Sequence, residues 1–352
     1  MISRDLLYYA PGFIAATLFT YGIARLYIRH ALNNGILDTP NARSSHTAPT
    51  PRGGGISIVT VSAIIIATAL LAPSAELVDK LPQQSLIALL LGSLIVAAVG
   101  FMDDLKSLSN KVRFSAHLLA SLAALSLIKP LPSLPLPGME IQLQGVWLLL
   151  LALGLTWLIN LYNFMDGIDG IAATEAFSVL VGASLIGGFG QQLTDSPFPS
   201  SLLIMLLAPL LGFLLLNRPP AKVFMGDGCS GFLGMLLGLL AITYAANTSV
   251  NLWCWAILLG VFIVDSGWTL STRVFTGQKW HQPHRSHCYQ ILSRKLQSHG
   301  KVTLGTAAVT LLWLTPLGFL ASLHPNYGAL CLLAAYTPLV ALCYCHEAGL
   351  HN

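Results

Sequence analysis

Residues 145–170 read GVWLLLLALGLTWLINLYNFMDGIDG, and this stretch decides the class of fold. A membrane helix takes ~20 mostly apolar residues, and 145–163 supplies such a run. The run then ends in Asn160, Asn163, Asp166 and Asp169, a polar residue at every third position. That spacing lines one slowly drifting face of a helix, or a tighter 3₁₀ end. Lipid gives no reason for four such groups. A polar seam between helices or a ligand site does, and Gly167 and Gly170 would let a ligand approach the backbone closely.

Further stretches of the same kind occupy 6–28, 55–72, 85–101, 115–129, 171–189, 200–216, 230–248, 252–271, 303–322 and 328–345, making eleven in all. The composition agrees: 55% of the 352 residues are apolar and 9% charged, against about 25% charged in a soluble domain. The expected fold is all-α, a polytopic membrane protein with about 11 transmembrane helices in one integral membrane domain over 1–352. The first apolar run follows Ser3-Arg4-Asp5 with no small-residue cleavage site after it, so it reads as a retained helix. Six cysteines form no CxxC pair and read as packing residues. A net charge of +4 is too small to argue for nucleic acid. No internal repeat of the kind many transporters carry is visible.

Fifteen of the eighteen lysines and arginines fall in loops on one side; Arg4, Lys80 and Lys129 fall on the other. By the positive-inside rule the first side is cytoplasmic, the N-terminus periplasmic and the C-terminus cytoplasmic. The cytoplasmic loops are then 29–54, 102–114, 164–170, 217–229 and 272–302. Asp103, Asp104, Asp166, Asp169 and Asp227 all lie at that face. A carboxylate near hydrocarbon is costly, so five on one face point to a site. Asp103 and Asp104 close the third span at adjacent helical positions, ~100° apart, and cannot face the same way. Lys106, Lys111 and Arg113 follow and are suited to neutralise them or hold phosphate. In the run Lys222-Val-Phe224-Met-Gly226-Asp227-Gly228, a glycine-rich turn opens a helix, an arrangement suited to phosphate, and Asp227 suits Mg²⁺. Arg52 before Gly53-Gly54-Gly55 has the fork geometry that favours phosphate, although a plain connector explains this segment equally well. His281, His284 and His287 admit a zinc reading, but with Arg285 they fit donors to a pyrophosphate or sugar better. His30, His117, His299, His324, His346 and His351 read as surface or interfacial.

These blocks, in this order, resemble the polyprenyl-phosphate N-acetylhexosamine-1-phosphate transferase superfamily, glycosyltransferase family 4, from about Asp38 to Gln290. The resemblance implies transfer of a sugar-1-phosphate from a UDP-N-acetylhexosamine to undecaprenyl phosphate, with release of UMP. It implies a bacterial inner-membrane enzyme with a cytoplasmic site, Mg²⁺ as cofactor (Mn²⁺ substituting), the bilayer as partner and a homodimer as an allowed assembly. By position it implies catalytic roles for Asp103, Asp104, Asp227, His284 and His287, and metal contacts from Asp227 and Asn163. Substrate contacts fall to Arg52, Lys111, Asn160, Asn163, Asp166, Asp169, Lys222, Phe224 and Arg285. Phe224 sits where an aromatic stacks on uracil. His284-Arg285-Ser286-His287 replaces the three adjacent histidines of the peptidoglycan enzyme, and Arg52 stands in its TPTMGG-type run; both departures count against a muramoyl-pentapeptide substrate. The loop HRSHCYQ resembles the O-antigen-initiating branch, which implies a 6-deoxy sugar, with UDP-N-acetylglucosamine as the alternative. A transporter is the competing class, but its acids would be spread through span centres, and Asp265 is read as the only acidic residue well inside a span.

Overall fold

The protein is described by a computed structural model covering residues 2–40, 48–71, 81–194, 198, 200–278 and 284–350. Each of the eleven apolar stretches is helical. They form α1 (Ile2–Asn34), α2 (Ile56–Leu71), α3 (Gln83–Lys106), α4 (Asn110–Leu127), α5 (Val146–Met165), α6 (Ile171–Thr194), α7 (Ser200–Asn217) and α8 (Asp227–Asn247). The ninth is a broken pair, α9 (Leu252–Leu258) and α10 (Gly260–Phe275), bent by 71°. A short α11 (Cys288–Leu296) precedes α12 (His299–Val309), which runs through a π turn at Thr310–Leu314 into α13 (Thr315–Leu323), and α14 (Gly328–Cys345) follows. Among the described residues, seven helical segments are long and apolar enough to cross a membrane, or eight with the bent pair. The helices α1, α2 and α4 fall outside that count; α2 has only 16 residues.

Three helices begin at a Ser or Asn side-chain cap. Ser109 accepts from Val112 N, Asn251 from Trp253 N and Cys254 N, and Ser298 from Lys301 N. Among the described residues two antiparallel pairs interrupt the all-α pattern. One joins β1 (Leu37–Asp38) to β2 (Thr50–Pro51), and the other joins β3 (Ser133–Leu136) to β4 (Met139–Gln142). The second occupies the proline-rich connector after α4, where Trp253 Nε1 donates to Pro135 O at 2.8 Å and ties it to α9.

The hub is α8, buried at every residue from Gly228 to Tyr244 and packed between α3 and α5. Small residues permit this: a Cβ on Gly234 would stand 2.7 Å from Leu158 O on α5. Likewise a Cβ on Gly100 of α3 would meet Gly228 Cα at 2.6 Å. The C-terminal end of α3 and the N-terminal end of α8 are therefore in backbone contact, and the candidate site forms there.

Candidate active site

Three segments converge on the α3–α8 contact. The strand-like run after β2 lies parallel to the run that leads into α8: Phe224 N donates to Pro51 O (2.8 Å), and Gly53 N and Gly54 N donate to Phe224 O (3.1 and 3.0 Å). Gly226 has φ +85°, and a Cβ there would lie 2.9 Å from Gly53 Cα and 3.2 Å from Asp104 Oδ2. Only glycine fits that turn. The result places Arg52 NH2 2.8 Å from Asp104 Oδ1 and 2.7 Å from Asp227 Oδ1. Burial alone would lower the Arg52 pKa, but Asp227 and Asp104 outweigh it and hold the guanidinium above its usual value. Tyr27 Oη donates to Arg52 O at 2.6 Å and fixes the backbone beneath.

The adjacent carboxylates of α3 part company, as their angular separation requires. Asp104 turns to Arg52, and its Oδ2 accepts from Gly228 N at 3.3 Å. Asp103 turns toward α4, where Oδ1 accepts from Leu108 N and Oδ2 pairs with Arg113 NH1, both at 2.6 Å. Both acids lie inside helix α3, so the expected loop 102–114 is shorter than the sequence suggested. A narrow crevice brings Asp103, Arg113, His117, Asn160, Asn163 and Asp227 together. Asn163 Nδ2 donates to Ser230 Oγ (3.2 Å), which donates to Asp227 O (3.3 Å). Asn160 donates within its own helix to Thr156 O at 2.7 Å.

Just beyond α5, the half-buried Asp166 carboxyl is pushed well above the usual carboxylate range by burial, and further by Asp227, against the pull of Arg52. Asp169 sits on the far side of this turn. Its Oδ2 accepts from Ala221 N at 3.1 Å and lies 3.3 Å from His299 Nδ1. An open polar cavity borders Asp169, Pro219, Pro220, Arg285, Arg294 and His299. Phe224 is half-buried, and Lys222 is exposed beside it.

The histidine segment is anchored elsewhere. His287 Nδ1 lies 3.2 Å from Asp265 Oδ1, and the His284 ring stacks on it with centroids 4.9 Å apart. His284 Nδ1 contacts Ser286 Oγ at 3.0 Å, and Arg273 NH1 donates to that hydroxyl at 3.3 Å. The bonds of His284 and His287 thus run to α10 and their own segment rather than to the acidic centre. His281 and Arg43–His46 lie outside the described residues.

Several expectations need correction. Lys111 is exposed on α4, and Arg113 takes the contact with the acids. His117 and His299 are not surface groups: the first is 6% exposed and lines the crevice, and the second pairs with Asp169. Asp265 is not alone within a span, because Glu175 of α6 is fully buried and accepts from Thr310 Oγ1 at 3.1 Å. No sequence signal distinguished these residues, since each is defined by a partner more than ten positions away or by a helix face.

Among the described residues no group of three or more His, Cys, Asp or Glu could cage a metal. A hard divalent ion does not require one, because Mg²⁺ takes one or two carboxylates and completes its shell with phosphate and water. Asp104 and Asp227 already converge on a single cationic atom. That donor set fits Mg²⁺.

Residues 86–245 match the family model described as glycosyl transferase family 4. The chain is 28% identical over 307 residues to the probable undecaprenyl-phosphate N-acetylglucosaminyl 1-phosphate transferase of Bacillus subtilis, covering 85% of this chain and 81% of that one. It is 32% identical over 246 residues to the decaprenyl-phosphate N-acetylglucosaminephosphotransferase of Mycolicibacterium smegmatis, covering 67% and 59% respectively. With the phospho-N-acetylmuramoyl-pentapeptide-transferase of Thermotoga neapolitana it shares 32% identity over 163 residues, 44% of this chain and 52% of the other.

Proposed function

We infer that this chain, which belongs to glycosyl transferase family 4, transfers an N-acetylhexosamine-1-phosphate from a UDP-sugar to undecaprenyl phosphate or a similar polyprenyl phosphate. UMP is released, and the product begins a lipid-linked glycan. One observation carries the reading: two carboxylates from different helices, Asp104 and Asp227, converge on one cation at the end of an apolar bundle. A lipid acceptor arrives through the bilayer and a nucleotide sugar from water, and such an end meets both.

The reaction is an exchange of anhydrides. A phosphate oxygen of the lipid attacks the sugar-linked phosphorus, a new P–O bond forms, and the bond to UMP breaks. A phosphomonoester has its second pKa near ~6, so the attacking oxygen is already mostly deprotonated at pH 7. The obstacle is the approach of one anion to another. Asp227, with Asp104 and Asn163, would hold Mg²⁺, which would supply Lewis-acid charge neutralisation there. Arg52 is the protein's own cation at that place, and its fork suits phosphate oxygens. Asp103, engaged by Arg113, sits across the crevice and positions the lipid phosphate or takes its last proton. Asp166, Asp169, Lys222 and Phe224 form the nucleotide side, and the polar cavity with Arg285 takes the sugar end. UDP-sugars are cytosolic, so this face is cytoplasmic.

The names of two relatives favour N-acetylglucosamine over a 6-deoxy N-acetylhexosamine as the sugar. Discrimination by an apolar pocket against one added hydroxyl is only ~100-fold, so both should be used. The test is UMP release by the purified full-length protein from equal amounts of the competing UDP-sugars. UMP must appear only with polyprenyl phosphate and Mg²⁺ both present. UMP formed without lipid, or none with any UDP-N-acetylhexosamine, would refute the reading.

A further inference from the structure

Asp265 is a buried carboxylate that the proposed reaction does not use. It sits within α10, 5% exposed, and its two oxygens accept four hydrogen bonds. Oδ2 accepts from Tyr289 N at 2.8 Å. Oδ1 accepts from Cys288 N at 2.9 Å and Thr269 Oγ1 at 3.2 Å, and faces His287 Nδ1 at 3.2 Å. Cys288 N and Tyr289 N are first-turn donors of α11, which have no partner inside their own helix. The carboxylate satisfies them and meets the positive end of the helix.

His287 also belongs to the cap of α11, in a capping box where its side chain faces the Gln290 backbone N–H and Gln290 Oε1 accepts from His287 N at 3.3 Å. The Nδ1 contact gives His287 a carboxylate partner on one ring nitrogen, which selects the tautomer with the proton on Nδ1 and leaves Nε2 as the lone-pair nitrogen. The same short helix then reaches the acidic turn: Tyr289 Oη donates to Phe164 O at 2.9 Å, two residues before Asp166. From the other side, the His284 ring stacks on His287. One buried carboxylate therefore sets the histidine pair and, through Tyr289, the backbone that carries Asp166.

We propose that Asp265 is a positioning residue of the transfer site, acting through His287 and the first turn of α11. The proposal rests on the transfer reading above and on a role for His287 in it. Loss of the outer partner of a metal-bound histidine costs about ten- to a hundredfold, and the same range is expected for His287.

The experiment uses the full-length protein in detergent, labelled with ¹⁵N-histidine, with the His287 signal assigned by its loss in His287→Gln. At pH 7.5 the wild-type His287 should carry its proton on Nδ1. A proton on Nε2 with a bare Nδ1 would overturn the proposal whether or not any variant folds. UMP release is then measured for wild type, Asp265→Asn, His287→Gln and the double variant. Asp265→Asn should lower kcat about ten- to a hundredfold with the UDP-sugar KM changed less than about threefold. In the His287→Gln background the same change should cost less than about threefold. An equal cost in both backgrounds, or wild-type kcat in Asp265→Asn, would overturn the proposal. If the wild type released no UMP at all, the transfer reading would fail, while the tautomer would still decide whether Asp265 orients His287.

Discussion

The acidic centre and the Asp265 knot use the same side chain in opposite ways. At the centre, Asp104 and Asp227 share one guanidinium, and Asp166 lies close enough to raise their mutual repulsion. At the knot, a single carboxylate is surrounded by four donors. A saturated carboxylate holds structure in place, and its charge is already answered. A cluster of carboxylates with one shared cation is short of positive charge, and in low dielectric that shortage makes it receptive to another cation. On the proposed reaction, the difference separates groups that touch the chemistry from groups that place them.

The largest effect expected from this contrast is at Asp227. Asp227→Asn keeps the shape and removes half of the charge that gathers the cation. Losing one main electrostatic stabiliser costs ~2.7–4 kcal/mol of barrier, roughly 10²–10³ in rate. Transfer by the purified variant at saturating Mg²⁺ measures it. Near wild-type turnover would place the acidic centre with the knot, as structure only.

Arg52 sharpens the same contrast with a smaller effect. A charge-assisted hydrogen bond is worth ~1.5–3 kcal/mol, so Arg52→Gln should lose roughly ten- to a hundredfold in transfer. It should also lower the Mg²⁺ concentration needed for half-maximal rate, because the variant no longer places a competing cation between Asp104 and Asp227. A magnesium titration of the two proteins reads this directly. An unchanged half-saturation point would mean that Arg52 and the metal occupy different places.

Much of this architecture is legible in the chain. All eleven apolar stretches fold as helices, and of the run ending Asn160, Asn163, Asp166, Asp169 the two asparagines share a crevice with Asp227, Asp166 feels its charge, and Asp169 turns away to Ala221 and His299. The separation of Asp103 from Asp104 follows from the helical angle alone. What the sequence hides is pairing. Arg113 and Lys111 are both cations just beyond the acids, and only the phase of α4 selects Arg113 for Asp103. His299 opens α12 and meets Asp169 across 130 residues of chain. Glu175 looks like one polar residue near a helix start, until α6 packs on the π turn and Thr310 supplies a donor. Such contacts depend on rotation and depth, which an apolar run does not encode.

Arg113 tests the structural side of the acidic face. Its partner Asp103 is 8% exposed as a side chain, and Arg113→Gln would leave that carboxylate with Leu108 N as its remaining donor. A buried group that loses a charged partner costs ~1–3 kcal/mol. The variant should melt a few degrees lower in detergent and release UMP more slowly by less than Asp227→Asn does. A larger loss of transfer than that of Asp227→Asn would make Asp103 the more important acid.

The smallest expected effect concerns pH and belongs to the knot. Burial lowers the His284 pKa from its ordinary 6.5 to about 4, helped by His287 and Arg273 and opposed by Asp265. The neutral ring is therefore the folded form. Below about 6.5 the unfolded chain takes up a proton that the folded chain refuses until about 4. Stability from this source is complete above the ordinary pKa and declines as pH falls through that window. Because His284 is half-buried, solvent screening limits the effect to about 1 kcal/mol. Wild type and His284→Gln, melted at pH 7.5 and pH 5, should differ in slope, with the wild type losing more stability on acidification. Parallel slopes would mean that His284 is solvated and takes up its proton near 6.5 in the folded protein. The rate should show no step from His284 between pH 5 and 8. A step near ~6, where the lipid phosphate takes up its second proton, should persist in His284→Gln, because the acceptor itself is the group titrating.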